Sequence, residues 1–149
     1  MKPTIEDAIQ LALNVHRGQL DKNGAPYILH PLRVMSQMRT ETDRIVAVLH
    51  DVVEDSRGKA NEVTLAGLRR MGYSKKIVDA ISGVTRREGE SYEHFVLRSK
   101  RNPISRRVKL ADLSDNMDVR RLRPTLNAKD LTRMERYRRA WEELREDSK

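Results

Sequence analysis

Apolar residues recur at three- and four-residue spacing along most of this chain, which is the period of an α-helix. The pattern predicts helices over about residues 5–20, 27–38, 43–53, 65–71, 75–81, 92–100, 103–116 and 128–147. Gly, Pro, Asn and Ser are frequent between them and indicate turns. We find no persuasive alternation of period two, no internal repeat and no low-complexity segment. The sequence therefore predicts an all-α fold, a single compact helical bundle.

Several helix starts carry the side chains that cap exposed backbone N–H groups. Thr4 and Asp7 resemble a capping box, and Asn102 is followed by a proline suited to the first helical position. Further N-caps are predicted at Thr64, Ser74 and Ser91. In the last helix, a core-facing stripe is predicted from Leu131, Met134, Tyr137, Trp141 and Leu144.

Composition narrows the chemistry that is available. The chain has 149 residues, which suits one domain spanning 1–149, and it has no cysteine. Any metal must therefore be held by His, Asp or Glu, which favours Mn, Fe, Mg or Zn in an open site over a structural zinc. No signal peptide or membrane-spanning run is evident, so we expect a cytoplasmic location.

The net charge of +8 is unevenly distributed. Residues 1–65 carry 8 Lys/Arg and 9 Asp/Glu, whereas residues 66–149 carry 22 and 13. A basic half suits an anionic partner, either a nucleic acid or a small, highly phosphorylated ligand, although it is also what a solvated surface gives. Aromatic residues make up only 4% of the chain and no nucleic-acid motif is present, so nucleic acid is not expected.

Leu49–Asp55 reads Leu-His-Asp-Val-Val-Glu-Asp and places four polar, proton- or metal-binding side chains in an apolar segment. On one continuous helix, His50 would lie above Glu54 and Asp51 above Asp55. Three carboxylates and an imidazole on an otherwise apolar helix are costly unless something neutralises them. A divalent cation is the simplest candidate.

Three ordered segments strengthen this interpretation: Pro26–Pro31 (Pro-Tyr-Ile-Leu-His-Pro), Leu49–Asp55, and Val108–Asn116 (Val-Lys-Leu-Ala-Asp-Leu-Ser-Asp-Asn). Together they resemble the HD superfamily of metal phosphohydrolases. More narrowly, they are similar to the (p)ppGpp hydrolase domain of RelA/SpoT-type enzymes and to the stand-alone small alarmone hydrolases. The resemblance runs from about Thr4 to Leu122 and implies the HD-domain fold.

The resemblance also assigns roles to individual residues. It implies that the metal, Mn²⁺ or another divalent ion, is held by His30, His50, Asp51 and Asp112. Glu54 and Asp55 match the acidic pair that handles the attacking water. Outside the resemblance, His30 could be a buried histidine at a helix start and Asp112 the partner of Lys109.

Other positions match the family's substrate contacts. Asn116 matches an asparagine that contacts the ribose, but it could equally be a helix C-cap. Lys22 matches a loop residue beside the base and phosphates, although it could be an ordinary exposed lysine. Arg17, in the opening-helix motif, could reach a phosphate or form a surface ion pair. Tyr27 is expected behind the ligands.

The implied function is that of a guanosine-3′,5′-bis(diphosphate) 3′-pyrophosphohydrolase (EC 3.1.7.2-type) of the stringent response. It removes the 3′-diphosphate of an alarmone, so the partner is a small phosphorylated nucleotide and not a membrane. No synthetase domain is expected in this length. Basic residues, from Lys22 and from the arginines of Thr85–Glu90 and Arg120–Arg123, would offset the substrate's charge.

The sequence departs from the family at two places. The alarmone hydrolases usually carry two basic residues before the Pro-Tyr-Ile segment, but the first is Asp21 here. The long enzymes have Ala-Asp-Arg-Leu-His-Asn-Met-Arg where this chain has Asp115 and Asp118 at the His and final Arg positions. Alternatives therefore stay open: another nucleotide (ppApp, NADPH or a 5′-nucleotide), or a catalytically silent basic module that binds nucleotides.

Overall fold

The structure, a computed structural model, describes residues 1–146. Over this range it contains nine α-helices and no strand. The helices are α1 (Ile5–His16), α2 (Leu29–Ser36), α3 (Glu41–Leu49), α4 (Val52–Ser56), α5 (Leu65–Arg70), α6 (Lys75–Val84), α7 (Tyr92–Lys100), α8 (Pro103–Asn116) and α9 (Ala128–Arg145). A 3-10 turn, Val119–Arg121, precedes α9. The prediction of an all-α fold is confirmed.

The predicted caps are present. Thr4 and Asp7 form a reciprocal capping box at the start of α1. Thr64, Ser74 and Ser91 each accept a backbone N–H with their hydroxyl oxygen, and the Asn102 side chain caps α8 ahead of its proline. Because each cap satisfies donors that a helix leaves open, these short polar residues fix where the helices begin.

The main core is built around α3, in which Ile45 to Leu49 are all buried. Helices α1, α2, α6 and α8 pack against it. A second, smaller core joins α7, α8 and α9 and includes Leu113, Ala140 and Leu144. Helix α8 therefore lies between the two cores, and its middle is deeply buried. No helix in residues 1–146 combines the length and the apolar character needed to cross a bilayer.

Two predicted helices and one predicted core stripe need correction. Helix α1 ends at His16, not at residue 20, because Gly18 takes a left-handed backbone with φ of 76°. The predicted helix over 43–53 is two helices, α3 and α4. The stripe predicted for α9 is only partly buried: Leu131 is 56% exposed, because only the C-terminal half of α9 packs into the smaller core. Asp147, the predicted end of that helix, lies outside the described residues.

Candidate metal centre and adjoining cavity

The chain between α3 and α4 brings two adjacent polar residues to the same place. Helix α3 ends at Leu49 and α4 begins at Val52, so His50 and Asp51 occupy the junction. The Ala47 carbonyl accepts both the His50 backbone N–H and the imidazole Nδ1–H, the latter at 2.6 Å. The prediction that these residues share one continuous helix with Glu54 and Asp55 is therefore wrong. The tightened turn replaces regular helical stacking.

His30, His50, Asp51 and Asp112 converge in the interior. The ligand atoms of His30, His50 and Asp112 all lie within 4.8 Å of one another. His50 Nε2 is 3.0 Å from Asp51 Oδ2, and His30 Nε2 is 2.9 Å from Asp112 Oδ1. His30 comes from α2 and Asp112 from α8, two helices that pack against α3. The fold thus brings together three of the four predicted metal ligands, His30, His50 and Asp112, and Asp51 lies beside them, with its Oδ2 3.8 Å from His30 Nε2.

The donor set suits a divalent cation. Because the Ala47 carbonyl can only accept, the hydrogen of neutral His50 is on Nδ1 and its Nε2 lone pair faces the cluster. Among the described residues, this buried Nε2 has no partner in hydrogen-bonding geometry. An unsatisfied buried nitrogen beside two carboxylates is what an imidazole ligand of a metal would leave. Two imidazoles and two carboxylates fit a borderline ion such as Mn²⁺ or Fe²⁺.

The electrostatics of the cluster favour positive charge beside the carboxylates. Burial opposes the charged form of His50, yet Asp51 and Asp112 raise its pKa well above the ordinary value. Burial likewise opposes the ionised form of Asp112, while Lys109 and the two histidines hold its pKa well below the usual range. The two carboxylates therefore favour positive charge at the cluster, and a divalent cation could supply it.

The contacts of Lys109 show that Asp112 can be its ion-pair partner and a candidate metal ligand at the same time. Its buried ammonium donates to Asp112 Oδ2 at 2.7 Å, which is the ion pair that the sequence offered as an alternative. The other oxygen, Oδ1, faces His30 and accepts from Asn116 Nδ2 at 3.1 Å. One oxygen is held by the lysine while the other is directed into the cluster.

Glu54 and Asp55 lie on α4, just beyond the junction. The Arg86 backbone N–H donates to Glu54 Oε1, which anchors this side chain to the loop after α6. Asp55 Oδ2 accepts from the Gln19 side chain at 2.9 Å. Burial, followed by the charge of Asp51, raises the pKa of Asp55, and burial also raises that of Glu54. Both are held in place and made more basic, as a proton acceptor requires.

A cavity of about 320 Å³ borders the cluster. Three lining residues contact the centre directly: Tyr27 donates to Asp51 Oδ2 at 2.5 Å, Asn116 donates to Asp112, and Gln19 donates to Asp55. Its lining includes four basic side chains (Lys22, Arg121, Arg123 and Arg133) and three acidic ones (Asp21, Asp118 and Asp130). Tyr27 therefore lies behind the ligands, as the sequence predicted.

The predicted substrate contacts divide into two groups. Lys22 and Asn116 line the cavity, and burial followed by the charge of Arg133 lowers the pKa of Lys22. Arg17 is exposed at the end of α1 and is not among the lining residues, because the backbone turns away at Gly18. Its assignment stays a prediction without geometric support. Asp21 Oδ1 accepts the N–H groups of Asn23 and Ala25, so this departure from the family pattern stabilises the loop itself.

Two contacts could not be predicted from the sequence, because each joins residues that are far apart in the chain. Asp115 Oδ2 accepts from His30 Nδ1 at 2.6 Å, although the two residues are 85 positions apart. Gln19 connects Asp55 to the buried His16, whose Nδ1 is 2.9 Å from Gln19 Oε1. The motif around His16 was visible in the sequence, but its purpose was not.

Comparisons with known proteins find relatives in sequence and a solved structure with the same fold. No family model matches the chain. A guanosine-3′,5′-bis(diphosphate) 3′-pyrophosphohydrolase of Aquifex aeolicus is 29% identical over 126 residues, covering 76% of this chain and 17% of the relative. A GTP pyrophosphokinase of Streptomyces coelicolor is 33% identical over 130 residues, covering 78% and 15%. The chain thus spans about a sixth of these curated relatives.

A solved structure covers almost the whole chain. It belongs to a metazoan ortholog of SpoT whose title states that it hydrolyses ppGpp and plays a role in starvation responses. The match has a TM-score of 0.71 at 20% identity and covers 97% of this chain and 88% of the other. The chain has the fold of that protein, and the resemblance to HD-type alarmone hydrolases is confirmed.

Proposed function

We propose that the chain is a divalent-metal-dependent hydrolase that removes the 3′-diphosphate of guanosine 3′,5′-bis(diphosphate)-type nucleotides. The observation that supports it best is the convergence of His30, His50, Asp51 and Asp112 beside a basic cavity. The relatives' names supply the substrate class. Because the relatives are much longer than this chain, substrate and activity are part of the proposal.

The residues divide the chemistry between them. When bound to the four ligands, a divalent ion, by preference Mn²⁺, would supply Lewis acidity toward the phosphate and lower the pKa of water at the site. Glu54 and Asp55 orient the attacking water and accept its proton, for which their raised pKa values suit them. Lys22 and Arg133 offset the negative charge of the nucleotide in the cavity.

The reaction is a hydrolysis at the 3′-linked phosphorus. Water bonds to the phosphorus attached to the ribose 3′-oxygen, the bond from phosphorus to that oxygen breaks, and the 3′-oxygen takes a proton. The products are pyrophosphate and the 5′-phosphorylated nucleoside. Asn116 adjoins both the cavity and Asp112, which makes it the natural contact for the ribose near the breaking bond.

The test combines product analysis with one substitution. The purified chain, supplied with Mn²⁺ and ppGpp, should release GDP and pyrophosphate in equal amounts on anion-exchange chromatography. His50→Ala should lower the rate by orders of magnitude while circular dichroism remains that of a helical protein. His94→Ala is the matched control, because His94 is exposed on α7, away from the cluster. If His50→Ala hydrolysed ppGpp as fast as the parent, the metal assignment would be wrong.

A second candidate, the same chemistry on another nucleotide, is favoured by one observation. Asp21 lines the cavity. It occupies the loop position at which the alarmone hydrolases that the sequence resembles usually have a basic residue. Recognition of guanine by two adjacent basic residues is therefore not available here. A panel of ppGpp, pppGpp, ppApp and NADPH with Mn²⁺ separates the two candidates by which substrate has the highest kcat/KM.

A further inference from the structure

Asp115 is a buried carboxylate for which the proposed reaction has no direct use. It lies on α8, three residues after Asp112, and only 6% of its surface is exposed. Its side chain has contacts to His30 Nδ1 (2.6 Å), Arg33 Nε (2.8 Å), Arg33 Nη2 (3.2 Å) and Arg121 Nη2 (2.8 Å). It stands where the long enzymes that the sequence resembles have histidine, so the arrangement is a feature of this chain.

The contact with His30 decides which ring nitrogen is available. An ionised carboxylate can only accept, so the hydrogen of neutral His30 must be on Nδ1. Nε2 then presents its lone pair toward Asp112 and Asp51, at 2.9 and 3.8 Å from their nearest oxygens. The same hydrogen bond restrains rotation of the ring about its Cβ–Cγ bond.

We infer that Asp115 is a positioning residue that orients His30 and fixes its tautomer for binding a divalent cation. The inference rests on the proposed function, because it requires that the cluster binds a metal. Metal-ligating histidines commonly donate their other N–H to a carboxylate, and loss of such a partner typically weakens metal binding by about 10- to 100-fold. His50 uses a backbone carbonyl for the same purpose, so Asp115 serves only one of the two imidazoles.

Two arginines keep Asp115 ionised and in position. Arg33 approaches from the surface with a side chain that is 34% exposed, and it donates through two nitrogens to the two oxygens. Arg121 donates to the carboxylate and to the Asp115 backbone carbonyl, and it also lines the cavity. A buried carboxylate with a single neutral partner would be costly, and these charge-assisted bonds compensate for its desolvation. The chain of contacts therefore runs from the cavity wall to a metal ligand.

The test measures metal binding and does not depend on hydrolysis. Metal-stripped full-length protein is titrated with Mn²⁺ by calorimetry, and we expect Asp115→Asn to raise the dissociation constant by about 10- to 100-fold. Asp43→Asn is the matched control: Asp43 is also buried and paired with an arginine, Arg107, at 2.8 and 3.1 Å, but is remote from the cluster. It should lose comparable thermal stability and keep the parent's affinity.

Arg33→Met provides a second variant on the surface, in case Asp115→Asn does not fold. It should weaken Mn²⁺ binding in the same direction, by less than the direct substitution. Unchanged affinity in folded Asp115→Asn, or in Arg33→Met if the first variant is unfolded, would overturn the positioning role and leave the proposed function intact. Failure of the parent to bind Mn²⁺, Fe²⁺, Co²⁺ or Zn²⁺ would overturn the metal site and the inference together.

Discussion

The two imidazoles of the candidate centre are both held at Nδ1, by the Ala47 carbonyl for His50 and by Asp115 for His30. The four candidate ligands could be proposed from short motifs, because each motif is local. Their supports could not. One is a backbone carbonyl that the sequence does not mark, and the other comes from a helix that only folding brings close. At the residue scale, sequence identifies the ligands better than it identifies what orients them.

Tyr27 gives a test at this scale. Its hydroxyl donates to Asp51 Oδ2, and burial followed by the charge of Asp51 raises the pKa of Tyr27, so it is a neutral donor. Tyr27→Phe should weaken Mn²⁺ binding by about tenfold, as expected for loss of a hydrogen bond to a ligand. Tyr73→Phe is the control, because Tyr73 is also buried but lies beyond α5, away from the centre. Equal dissociation constants for both variants would show that the hydroxyl does not act on the ligand.

The junction between α3 and α4 is the element-scale feature that the sequence pattern did not reveal. Apolar spacing continues from Ile45 through Val53, so periodicity predicts one helix. The break depends on the Ala47 carbonyl, which accepts two hydrogens from His50. The predicted caps of α5, α6, α7 and α8 were correct because a cap is decided by residues within one turn. The junction between α3 and α4 instead involves the buried His50 side chain, and the residues within one turn do not reveal it.

Close packing of α6 on α8 gives the second test. A Cβ added at Gly83 would lie 2.2 Å from Ser105 Oγ and 2.8 Å from Ser105 Cβ. Alanine in place of glycine in a helix usually stabilises by about 1 kcal/mol. Here, Gly83→Ala should instead lower the free energy of unfolding by about 1–3 kcal/mol, because the two helices must separate.

Chemical denaturation measures this effect, with Gly67→Ala in α5 as the control. At Gly67 the nearest atom to an added Cβ is 3.2 Å away, so the change in unfolding free energy should stay within about 1 kcal/mol. A Gly83→Ala protein as stable as the parent would contradict the close approach of α6 and α8.

On the scale of the whole molecule, basic side chains from residues 66–149 line the cavity that adjoins the acidic cluster. Lys22 comes from the N-terminal half, whereas Arg121, Arg123 and Arg133 come from the C-terminal half. Charge counting left open an anionic partner or a solvated basic surface, and the structure places four basic side chains in the lining of the cavity. The apolar spacing of α9 could not predict that its first half lines a cavity and leaves Leu131 exposed. The spacing is helical for a core stripe and for a cavity wall alike.

We propose that removal of a 3′-diphosphate requires a divalent metal held by His30, His50, Asp51 and Asp112. The most direct measurement follows GDP and pyrophosphate release from ppGpp by chelator-treated protein, first without metal and then during titration with Mn²⁺. We expect no release without metal and a saturable return of activity that gives both products in equal amounts. Undiminished hydrolysis in excess chelator, or no hydrolysis at any Mn²⁺ concentration, would contradict the proposal.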